Sequence, residues 1–168
     1  MAGGPLLPSS TYLGGAAGNL SSTFYTSGAG TTTANSTIEG IGVVASLGAD
    51  ASAVLQFNIP EVIPAGTLKC RVLAWANATS GTAKLDIIDG RTPAGSNIAN
   101  ATFTTEAGSP TISHTWATAD VITVPTGAPV TLTQQPTAND IYTVVATFRT
   151  ASWSLAQTSV WQFSLVWE

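Results

Sequence analysis

Charge is the scarcest thing in this sequence. Its 168 residues include five Lys and Arg and nine Asp and Glu, 8% in all, where an ordinary globular chain carries roughly 25%. The net charge of −4 leaves no basic patch to neutralise phosphates, which argues against nucleic-acid binding. Cys70 is the only cysteine, so no intrachain disulfide can form and folding does not depend on oxidation. Within Leu68-Lys-Cys-Arg-Val-Leu73 it reads as a small core residue. His114 is the only histidine, too few for a His-based metal site and without a recognisable nucleophile or acid at catalytic spacing. No apolar run approaches the roughly 18 residues of a membrane span, so no membrane partner is expected. Met1-Ala-Gly-Gly-Pro5 lacks the basic and apolar regions of a signal peptide. The sequons at Asn19, Asn35, Asn77 and Asn100 therefore read as unmodified.

Ala, Thr, Ser, Gly and Val fill the space that charge leaves. A Thr-rich, weakly charged composition suits β-structure and extensive contact with other protein, since a lone soluble monomer normally carries more charge. The length fits one domain with a core of its own.

Residues 1–37 are dominated by Gly, Ser, Thr and Ala and cannot form a core. They read either as a solvated tail or as an extended N-terminal arm, with Phe24 and Tyr25 as anchors on a neighbouring surface. Residues 38–168 read as one domain of short strands separated by Gly, Pro and Asn turn signals. Strands are expected near 38–46, 53–59, 67–76, 82–88, 101–106, 111–116, 120–124, 130–133, 141–149 and 160–167. Asp89-Gly90 reads as the turn that closes the strand at 82–88. Only a short helical turn near 151–156 competes. The pattern predicts an all-β fold, an antiparallel β-sandwich of jelly-roll type. Its last strand alternates Val160, Gln162, Ser164 and Val166 against Trp161, Phe163, Leu165 and Trp167. The second set makes one continuous apolar face, expected in the core.

No catalytic, cofactor-binding or metal-ligating set emerges. Asp86 and Asp89 could in principle serve a cation at a strand end, but turn and surface roles explain them better. Trp75, Trp116 and Trp153 could stack on sugar rings or pack in core and interfaces. Trp153, in the loop Thr150-Ala-Ser-Trp-Ser-Leu155, is the candidate contact residue among them.

Three segments carry a resemblance: Val54-Leu-Gln-Phe-Asn-Ile-Pro-Glu-Val-Ile-Pro-Ala-Gly-Thr-Leu-Lys69, Ala74-Trp-Ala-Asn-Ala-Thr-Ser-Gly-Thr-Ala-Lys84, and Thr150–Glu168. Over roughly residues 50–168 the chain resembles small structural proteins of tailed bacteriophages, cyanophages included, among them capsid cement or decoration proteins. The resemblance implies a non-enzymatic virion protein, made in the host cytoplasm and placed on the capsid surface. It also implies a homotrimer, with the major capsid protein as partner. The alternative from the residues is a carbohydrate-binding module or a phage receptor-binding head.

Overall fold

A computed structural model describes residues 10–14, 41–44, 50–96, 102–104, 111–155 and 159–168. These residues form ten strands: β1 (Ser10–Gly14), β2 (Ile41–Val44), β3 (Ala51–Asn58), β4 (Leu68–Ala76), β5 (Thr82–Thr92), β6 (Thr102–Thr104), β7 (Thr111–Thr115), β8 (Val130–Thr131), β9 (Ile141–Phe148) and β10 (Ser159–Trp167). The fold is all-β, and no α-helix occurs among the described residues. A 3-10 turn at Thr150–Ser152 is the sole helical feature there.

The strands make two antiparallel sheets. One runs β2-β10-β4-β8; the other runs β1-β3-β9-β5-β6, with β7 also on β5. The long β5 holds β7 along Thr82–Asp86 and β6 along Asp89–Arg91. Alternation decides what each sheet buries. On β4, Leu68, Cys70, Val72 and Ala74 have no exposure; on β9, Tyr142, Val144, Ala146 and Phe148 have none. All join one core shared by the two sheets.

β10 lies between β2 and β4, in register with β4 from Ser159↔Ala76 to Trp167↔Leu68. Its Trp161, Phe163 and Leu165 are fully buried, as the alternation predicts, while Trp167 packs partly buried against the same core. Two rings close on Trp161 edge-on: Phe148 of β9 at 5.5 Å between centroids, and Trp116, just past β7, at 5.9 Å. Such pairs add about 0.5–1.5 kcal/mol beyond the area they bury.

Three expectations change. The strand expected at 82–88 does not stop at Asp89-Gly90; β5 runs through both residues, paired to Val144 and Thr143 of β9. Two flanking strands satisfy this backbone, which outweighs a local preference for a turn. Residues 120–124 form no strand, only an isolated bridge from Thr123 to Ala74. Ser10–Gly14, within the segment read as an arm, adds to β3 as an edge strand; the rest of 1–37 lies outside the described residues.

Candidate interaction surface

Four of the buried polar residues, Asp89, Thr92, Asp140 and Thr143, lie on β5, β9 and the loop 132–140 between β8 and β9. Asp89 points inward with no exposure. One of its carboxylate oxygens accepts from the Tyr142 hydroxyl and from Gln134 N–H, the latter at 3.0 Å. Arg91, two residues on and therefore on the same side, pairs with the buried Asp140. Asp140 also accepts from Thr137 N–H at 2.7 Å and Ala94 N–H at 3.3 Å. Burial alone would raise its pKa, but the Thr137 bonds and the Arg91 guanidinium together hold it below the usual carboxylate range. Paired charges of this kind fix a loop rather than expose a reactive group. Cys70 lies near Asp89, and burial first, then that carboxylate, pushes the thiol up to about 12. It is an inert core residue, as expected from its setting.

Asp86 and Asp89, three apart on a strand, lie on opposite faces and cannot share one cation. Asp86 instead accepts from Arg149, which also reaches Asp50 at 3.0 Å. These bonds raise the Arg149 pKa. Among the described residues no group of three His, Cys, Asp or Glu is placed to hold a metal ion.

The tryptophans separate by position. Trp116 is buried and edge-on to His114 at 4.5 Å, so it offers no stacking platform. Trp153 is half-buried: its ring packs against Phe148 and Trp161, and its Nε1 donates to Leu155 O at 3.1 Å. The loop is tied down by Ser154 N–H to Thr82 O and Thr82 N–H to Ser154 Oγ, both 2.9 Å. Phe24 and Tyr25 lie outside the described residues. Trp75 alone of these three tryptophans stands on an outer face, half-buried.

That outer face belongs to the four-stranded sheet, and it is divided in two. Leu73 and Trp75 alternate with buried Val72, Ala74 and Ala76. Thr123 pairs with Ala74 through two backbone bonds of 2.9 Å. Its hydroxyl donates to Ala74 O at 3.1 Å and meets His114 Nε2 at 3.0 Å, so its side chain turns inward. Ile122 and Val124 therefore turn outward, 63% and 55% exposed. Register sets Ile122, Trp75 and Val160 in one row, and Val124, Leu73 and Gln162 in the next. Val121, 44% exposed, adjoins them. Neither row contains a charge. Further along β4 the same face becomes ionic: Glu168 meets Lys69 at 3.1 Å and Arg71 at 3.8 Å. At the other end, exposed Asp120 donates its N–H to Ala76 O.

Sequence reasoning missed this patch, although the alternation Ile122-Thr-Val124 was available to find it. It also missed the buried Asp89, because Asp-Gly reads as a turn. No protein-family model, curated protein or solved structure matches the chain.

Proposed function

We propose that the chain is a non-enzymatic structural protein of a phage virion, a cement or decoration protein that binds the capsid surface and stabilises the head. The observation that carries this reading is the strand order of the two-sheet β body, and an uncharged apolar patch with half-exposed Trp75 on its outer face gives it a surface for contact within an assembly. Such a patch is the kind of surface that contacts protein. The strand order supports the jelly-roll part of the reading. If β2, β3, β4, β5, β7, β8, β9 and β10 are numbered one to eight, the sheets run 1-8-3-6 and 2-7-4-5. Two interlocked Greek keys produce that order, and viral capsid domains use it. The sequence resemblance adds the homotrimer and the major capsid protein as partner, and the composition of residues 1–37 adds an arm with contact area of its own, held to the body where Ser10–Gly14 pairs with β3. Many weak apolar contacts, summed over a symmetric assembly, resist head pressure without one strong site.

Capsids lacking this protein, compared with complete ones under heating and in low salt, test the role. Earlier loss of the genome from the deficient capsids is the expected result, and equal resistance would refute it. Sugar binding ranks second, because Trp116 and Trp153 are turned into the core and only Trp75 remains to stack.

A further inference from the structure

We infer that the apolar half of the outer face is a contact with a second copy of this chain, and that two copies meet there about a twofold axis. The two uncharged rows, Ile122-Trp75-Val160 and Val124-Leu73-Gln162, form the centre. Strands lie about 4.8 Å apart and same-face residues about 6.6 Å along a strand, so the rows make a compact patch.

Charge at its two ends selects the occupant. Asp120 is exposed at the Ala76 end. Arg71, 45% exposed and held to Glu168 only at 3.8 Å, stands at the other end, with Lys69 beyond it. A twofold axis through the rows reverses one copy on the other. The Asp120 end of each then faces the Lys69, Arg71 and Glu168 end of its partner, whose side chains keep one net positive charge, while apolar rows meet apolar rows. Such a surface is complementary to itself, as an isologous contact requires. A net charge of −4 makes copies repel weakly, and this placement of charge offsets that repulsion at the contact.

This contact deepens the building-block reading and rests on it for the setting in which copies meet. Mass measured by light scattering after size exclusion separates the two ideas. Wild type should have an even number of chains: six if the trimer also forms, two if it does not. Val124→Glu and Ile122→Glu should each halve that mass, with circular dichroism unchanged. Arg71→Asp and Asp120→Arg should each weaken the pair by roughly tenfold, and the double reversal should restore it, a recovery that a merely structural role would not give. A wild-type monomer or trimer, or a mass unmoved by either glutamate, would overturn the inference. So would a monomer whose glutamate variants lose binding to capsids, since the capsid protein would then be the occupant. Failure of capsid stabilisation with an intact even-numbered assembly would sink the virion role alone.

Discussion

The two faces of the four-stranded sheet are made from the same strands and do different work. Inward, β4 and β10 present Val72, Ala74, Trp161, Phe163 and Leu165, all without exposure. Outward, the same strands present Leu73, Trp75 and Val160, apolar side chains left half in water. Ordinary antiparallel sheets put polar residues there. A face that keeps Trp and aliphatic side chains outward yet uncharged is spending solubility on contact, and its charges have been moved to the ends.

Substitutions sharpen that contrast in descending order. Trp161→Ala should cost about 3–5 kcal/mol, because a large ring between Phe148, Trp116 and Trp153 leaves a cavity. Denaturant melts read it, and a folded protein of near wild-type stability would place Trp161 outside the core. Gly81→Ala should cost about 1–3 kcal/mol. Gly81 has φ +117 and a Cβ there would approach Leu155 Cα to 2.9 Å, loosening the loop that carries Trp153; its melting midpoint checks this. Ile122→Ser, on the outer face, should change monomer stability by no more than about 0.5 kcal/mol, read from denaturation at high dilution. A loss as large as that of Gly81→Ala would erase the distinction between faces.

Acid offers a further test. Burial lowers the His114 pKa from its ordinary 6.5, so the unfolded chain binds a proton more readily than the folded one. Stability should therefore fall as pH drops below 6.5 toward the lower folded value, and be unaffected above it. His114→Gln should flatten that slope. Asp140 has the opposite chemistry and the same outcome at lower pH. Its folded pKa lies below 3.8, so its stabilisation is present above 3.8 and is lost as pH falls through the folded value. Urea midpoints measured from pH 8 to pH 2 would resolve the two windows.

Much of the fold was legible because period-2 alternation is a local signal. β4, β9 and β10 lie within a residue or two of their expected limits, and the inward set of β10 was read residue by residue. What was not legible depends on partners distant in sequence. Asp89-Gly90 looks like a turn until β9 and β6 flank it, and Asp89 looks exposed until Tyr142, 53 residues away, donates to it. Thr123 needed Ala74 and His114 to turn inward and thereby send Ile122 and Val124 outward. Trp153, a loop residue by sequence, packs on the core because Thr82 holds its loop. Of the contact residues expected, Phe24 and Tyr25 lie outside the described residues.

Oxidative footprinting of wild type against Val124→Glu, read at Trp75 and at Trp161, tests the division of the sheet most directly. Trp75 should be protected in the wild-type assembly and several-fold more labelled in the variant, with Trp161 protected in both. Equal labelling of Trp75 in the two proteins, or labelling of Trp161 that rises with it, would contradict the account.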